Sequence, residues 1–365
     1  MATMREPMHG NERVAWSAPW LRDDRGWIFP LEDRARRDLL ALARSLRDPD
    51  RPLFDWMPEE FDLGAALPVL RAAFAEARDG TGVALVRGLP REEVTAERFR
   101  ALVWGIGLHF GVARPQGRMS GYLSAVRDEG TDYRSATGRG YSSNAGLDFH
   151  VDGCDVVALA CWNVARAGGQ SMFTSSVSAH NAMLAERPDL VDPLYEPFCY
   201  SRQGEQAPDE PPFLRCPIYG VADGRLFGRW NRNRVKSAQA LPGVPKLTPL
   251  QWEALDMLDG LLRRPELMAE MWLAPGDLQL MNNHVVLHSR TPFEDHAEPE
   301  RKRLLWRLWL ATPDSPRLPP GWAEPFKSAE PGTVRGGIRG WHWDDACRAW
   351  ERRQAAALGM TVPAG

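Results

Sequence analysis

A histidine and an aspartate separated by one residue, His150 and Asp152, lie in the run LDFHVDGCDVVALACWNVARAGGQS over 147–171. Phe149, Val151, Val156 and Val157 give the run a β-like character. In a strand, residues two apart point to the same face, so the imidazole and the carboxylate converge. Two converging ligands suggest a metal and call for a partner elsewhere. GDLQLMNNHVVLHSRTPFED supplies one, with His288 just after a second β-like stretch, and RKRLLWRLWL places Arg303 and Arg307 on a third. Two histidines and one carboxylate make a facial ligand set that leaves one side of an Fe(II) ion open.

The rest of the chain fits a meeting of strands. Strands are expected over 155–163, 171–176, 213–220, 225–230, 268–273, 277–281, 284–287 and 303–311, with one near 121–127 and an early one in GVALVRGL. Helices are expected after Pro30, over 65–77 and from Thr95 to Phe110, then from Ser178 to Arg187, after Thr248 and over 341–358. Many short strands broken by turns, with a few inserted helices, indicate a mainly β fold with α elements, such as a jelly roll. No linker separates the parts, so 1–365 reads as a single domain. Residues 1–110 form a helical wrapping with an early strand, 111–312 the jelly-roll core, and 313–365 a C-terminal extension whose final helix packs back through Trp341, Trp343 and Trp350. The Gly-, Arg-, Ser- and Tyr-rich stretch 111–146 reads as a substrate lid or a plain surface loop.

Composition excludes several functions. A net charge of -3 gives no reason to expect nucleic acid or an anionic membrane as partner. The five cysteines are odd in number and irregularly placed, which argues against a disulfide framework or a structural zinc site. The N-terminus is charged where a signal peptide needs an apolar run, and no stretch reaches membrane-spanning length, so a cytoplasmic protein is expected.

The ordered pieces His150-x-Asp152, Gly168-Gly169-Gln170-Ser171, Asn283 ahead of His288, and the arginines at 303 and 307 resemble the taurine dioxygenase (TauD/TfdA) family of Fe(II)/2-oxoglutarate dioxygenases, over roughly residues 80–312. The resemblance implies a double-stranded β-helix core, with His150, Asp152 and His288 as iron ligands. It also implies that 2-oxoglutarate is decarboxylated to succinate and CO2 with O2 as oxidant, while a small substrate is hydroxylated or desaturated. Arg303 and Ser171 stand where the family holds the distal carboxylate of 2-oxoglutarate, and Arg307 where it holds an anionic group of the prime substrate, here an amino acid or other carboxylate-bearing metabolite. A structural ion pair with Asp277 competes for Arg307. Asp148, Arg229 and Asn231 are further candidate substrate contacts, with a solvated hairpin as the alternative for 228–232. Asn282 and Asn283 are expected to hold ring orientation. His284 is read as structural or pocket-wall, because in a strand it lies about 13 Å from His288. The acidic segment EDHAEPERK between His288 and Arg303 marks a divergent branch for which taurine itself is not expected. A non-catalytic jelly-roll binding module and a zinc-dependent hydrolase remain as alternatives, and subunit number, a homo-oligomer included, is left open.

Overall fold

The computed structural model describes residues 12–133 and 140–363. The strands that build the site are, in chain order, β1 Ile28–Pro30, β2 Val83–Arg87, β3 Val112–Ala113, β4 Leu123–Val126, β5 Val156–Asn163, β6 Ser171–Ser175, β7 Met268–Met271, β8 Leu278–Asn282, β9 Val286–Arg290 and β10 Leu304–Ala311. A seven-stranded sheet runs β1-β2-β8-β5-β10-β3, with β4 also paired to β10. A smaller sheet runs β7-β6-β9, both pairs antiparallel. Period-two alternation divides the large sheet between two cores. Val83, Leu85, Val157 and Met281 face inward with Phe173 and Leu287 of the small sheet. Ala84, Val86, Ala158, Ala160 and Leu280 face the helices on the outer side. Burial on both faces explains why these strands read as nearly continuous apolar runs. The result is the expected jelly-roll core.

The long helices are α1 Asp33–Ser45, α2 Ala66–Asp79, α3 Ala96–Phe110, α4 Ser176–Glu186, α5 Pro249–Leu261 and α6 Asp345–Ala357. Thr95 caps α3, and Thr248 caps α5 in a reciprocal box with Gln251. Helix α4 begins two residues before the expected Ser178, because the Ser175 hydroxyl accepts the Ser178 N–H and acts as the cap. A strand at Pro197–Ser201, paired with Phe213–Pro217, was not expected from the sequence.

The C-terminal extension is part of the body. Arg335 is fully buried and donates Nε to Asp155 Oδ1 at 2.7 Å. The Gly337 N–H reaches the Gly153 carbonyl, beside the candidate metal ligands, at 2.7 Å. A side chain at Gly336, whose φ is +73°, would meet that carbonyl at 2.3 Å, so the close approach requires glycine. Of the three tryptophans expected to anchor the last helix, only Trp350 is buried, stacked on Phe54 and beside Trp104. Trp341 is 55% exposed, covered in part by the Arg118 guanidinium.

Candidate active site

The histidines at 150 and 288 are joined through their backbones. His150 donates its N–H to the His288 carbonyl at 3.0 Å and His288 returns the bond at 2.9 Å, which leaves the ring centroids 4.4 Å apart. His150 also forms a bridge to Asn231 on its other side. The segment 147–152 is therefore not the continuous strand its alternation suggests. Isolated bridges hold it, and β5 begins only at Val156. His288, expected just after a strand, sits in the middle of β9, where the ladder to β6 fixes it opposite Phe173.

Ligand atoms of His150, Asp152 and His288 lie within 4.8 Å of one another. The Asp148 carbonyl accepts from His150 Nδ1 at 2.9 Å, which fixes the proton there and leaves Nε2 for a metal. Burial keeps both imidazoles neutral: it lowers His150, and with the neighbouring His150 ring and Arg307 it takes His288 down to about 3. Burial works against the Asp152 carboxylate, yet Arg307, the two imidazoles and Trp309 hold it below the usual carboxylate range. Trp309 Nε1 donates to Asp152 Oδ2 at 2.8 Å, and Arg307 Nη1 stands 3.5 Å from both carboxylate oxygens. The Asn283 side chain accepts the Asp152 N–H at 2.9 Å. Asn282 likewise accepts the His284 N–H at 3.0 Å. Both asparagines thus hold backbone, not the rings they were expected to orient.

Ser171, Arg303 and Arg307 share one pocket with the three ligands. Arg303, Leu305 and Arg307 line it together, the last two by the two-residue period of β10 and Arg303 from just ahead of that strand, beyond a register shift between Leu304 and Leu305. Arg303 is 6% exposed and its Nη1 has no hydrogen-bond partner among the described residues; burial pulls its pKa down to about 10. Ser171 Oγ donates to Gln279 Oε1 at 3.0 Å, and Gln279 Nε2 is likewise a buried donor without a partner. Unsatisfied buried donors are costly, so this cluster fits an absent carboxylate. The chemistry of the ligand set and these orphaned donors together fit Fe(II) and 2-oxoglutarate.

Other candidates fall elsewhere. The Asp148 carboxylate turns to Arg263 Nη2 at 3.4 Å and does not line the pocket, because the strand that would have aimed it inward does not form. Arg307 does not pair with Asp277, whose carboxylate faces Arg87 at 3.8 Å. Arg229 and Asn231 do line the pocket, although Asn231 spends its side chain accepting the Arg234 N–H as a helix cap. Trp230 between them is fully buried and donates to Asp259, which rules out a solvated hairpin at 228–232. His284 is structural: its Nε2 meets Asp155 Oδ1 at 2.8 Å away from the pocket. Of the lid candidate, Tyr133, Gly140 and Tyr141 line the pocket, while 134–139 lie outside the described residues. Sequence reasoning passed over Gln279 and Arg290. Arg290 is 5% exposed, donates Nη2 to the carbonyls of Ser143 and Ala145, and is taken down to about 9 by burial and by Arg303. Its place two residues after His288 on β9 was the available signal.

Comparison with known proteins agrees with this geometry. The family described as taurine catabolism dioxygenase TauD, TfdA family, matches residues 49–309. FR-33289 synthase of Streptomyces rubellomurinus is 30% identical over 322 residues, spanning 87% of this chain and 94% of its own. In fold the chain resembles asparagine oxygenase in complex with Fe(II), 3-hydroxyasparagine and succinate, with a TM-score of 0.60 and 18% identity over 78% of this chain and 94% of that one. It also resembles the non-haem iron oxygenase OrfP in complex with Fe and alpha-ketoglutaric acid, at a TM-score of 0.58 and 17% identity over the same shares. These relationships favour the oxygenase over the binding-module and zinc-hydrolase readings. The chain belongs to the TauD/TfdA family and is a non-haem iron, 2-oxoglutarate-dependent oxygenase.

Proposed function

We propose that the prime substrate is a small anionic metabolite, an amino acid or another carboxylate-bearing molecule, hydroxylated or desaturated at a carbon held over the open side of the His150, Asp152 and His288 site. With Fe(II) and 2-oxoglutarate bound, such a site uses O2 to convert the cosubstrate to succinate and CO2 and gains the power to remove hydrogen from a substrate carbon. The chain's own residues bind and orient. Arg303, with Ser171 and Gln279 beside it, receives the distal carboxylate of 2-oxoglutarate; the observation that carries this is the buried, unpartnered Arg303 Nη1. Arg307 receives an anionic group of the substrate, held ready by Gln116 Oε1 at 2.8 Å and by Asp152. The Tyr141 ring lies beside that group, its centroid 5.1 Å from the Arg307 guanidinium carbon. The molecules bound in the solved complexes of asparagine oxygenase and OrfP, 3-hydroxyasparagine and hydroxy-arginine, are hydroxylated amino acids that carry a carboxylate and support the reading. Five free, buried thiols support a reducing cytoplasmic compartment, and no helix of the described residues is long and apolar enough to cross a membrane.

Anaerobic titration of the Fe(II)-loaded protein with 2-oxoglutarate tests the site. A visible metal-to-ligand charge-transfer band is expected, lost with the iron in His288→Ala. Arg303→Ala should keep its iron and bind 2-oxoglutarate more weakly by roughly 30-fold or more. Equal iron loss in both variants would overturn the assignment.

A further inference from the structure

The pocket carries more positive charge than the reaction uses. The described lining residues include six arginines, 202, 229, 234, 290, 303 and 307, against two carboxylates, Asp152 and Glu205. Arg307 faces Asp152, Arg234 Nη2 reaches Glu205 at 2.6 Å, Arg303 is assigned to the cosubstrate, and Arg290, beside Arg303, is held through Nη2 by two carbonyls while its Nε and Nη1 are buried without a partner among the described residues. Arg229 has no carboxylate and no side-chain hydrogen bond among the described residues, and its Nε is buried. Its neighbours in the chain differ: Arg232 carries Asp256 at 2.5 Å and Asp259 at 2.6 Å.

Two rings hold Arg229 in place without neutralising it. Its guanidinium carbon lies 5.6 Å from the Tyr200 ring centroid and 5.3 Å from that of Phe326. A guanidinium packed against ring faces keeps its N–H edge free for a planar fork of hydrogen bonds. Arg202, in the same pocket lining, stands 3.7 Å from Glu210 and has a buried Nε without a partner among the described residues. Arg229 and Arg202 line the same pocket, and Arg229 packs on the Tyr200 ring two residues before Arg202 in the chain. Two guanidinium groups with unmade hydrogen bonds in one pocket call for an acceptor, and a tetrahedral dianion accepts hydrogen bonds from two forks at once.

We propose that Arg229 and Arg202 form a second anion subsite, distinct from Arg303 and Arg307, and that the prime substrate carries a phosphate-type dianionic group seated there. The inference rests on the reading in which Arg307 takes a first anionic group near the metal. The substrate is then an extended molecule charged at both ends, gripped at Arg307 and at the Arg229 wall, with the reacting carbon between them.

The test is an anaerobic calorimetric titration of the Fe(II)- and 2-oxoglutarate-loaded protein with methyl phosphate, and with acetate for comparison. Methyl phosphate should bind more tightly than acetate by roughly tenfold or more, and Arg229→Met should weaken it by a similar factor while leaving the charge-transfer band intact. Arg202→Met, which removes the second fork, provides the same readout if Arg229→Met fails to fold. Equal binding of acetate and methyl phosphate overturns the subsite. So does loss of methyl phosphate binding in Arg307→Met with none in a folded Arg229→Met. A wild-type protein that shows no charge-transfer band but binds methyl phosphate through Arg229 would leave the subsite standing and refute the cosubstrate assignment instead.

Discussion

At the scale of single residues, the candidate metal site depends on groups outside its three side chains. Asp152 has one oxygen fixed by the Trp309 indole, its N–H fixed by Asn283, and its charge balanced by Arg307. Trp309→Phe removes the indole donor and keeps most of the packing. Loss of such an outer partner commonly weakens metal affinity by about 10–100-fold, and that fall is the expected outcome when Fe(II) or Co(II) is titrated into the variant. Unchanged affinity would mean that Arg307 and Asn283 suffice to orient the carboxylate. The meeting of His150, Asp152 and His288 was readable because four short motifs stood in a meaningful order. Trp309 was not, since nothing along the chain says which of 15 tryptophans aims its N–H at a buried carboxylate.

At the scale of elements, period-two alternation placed Leu305 and Arg307 of β10 on one face, while Arg303, just ahead of the strand and beyond a register shift between Leu304 and Leu305, lines the same pocket without being part of that pleat. The same logic failed at 147–152, where the chain pairs through isolated bridges to His288 and Asn231. The convergence of His150 and Asp152 survives this failure because backbone contacts on both sides impose it. The extension after 313 was the least legible part. Its Pro/Gly-rich composition reads as loop, yet it delivers Arg335 to Asp155, which in turn accepts the Thr312 N–H at 3.0 Å and meets His284. Such a three-way contact has no local pattern to announce it. Arg335→Met would strand a buried Asp155, and a loss of about 3–5 kcal/mol is expected on removing one partner of a buried ion pair. Chemical denaturation measures it; a loss below about 1 kcal/mol, the range of exposed pairs, would show that His284 and the Thr312 N–H alone satisfy Asp155.

At the scale of the whole molecule, burial lowers the pKa of His150, His180, His284 and His288. In the unfolded chain these rings titrate near ~6.5. Below that pH the unfolded state takes up protons that the folded state refuses, so the stability of the metal-free protein falls as pH drops, and for His288 continues to fall toward about 3. The unfolding midpoint of metal-free protein should therefore be lower at pH 5 than at pH 7.5, and a flat profile would contradict the neutral buried rings. The reciprocal backbone pair between His150 and His288 has a further consequence, one of timing. Those residues belong to distant parts of the chain, and contacts of long sequence separation are slow to form because the intervening loop must close first. A partly folded chain in which these two segments have not yet met cannot offer both imidazoles to one iron ion, so a nascent molecule acquires its place for redox chemistry only when its distant halves have paired.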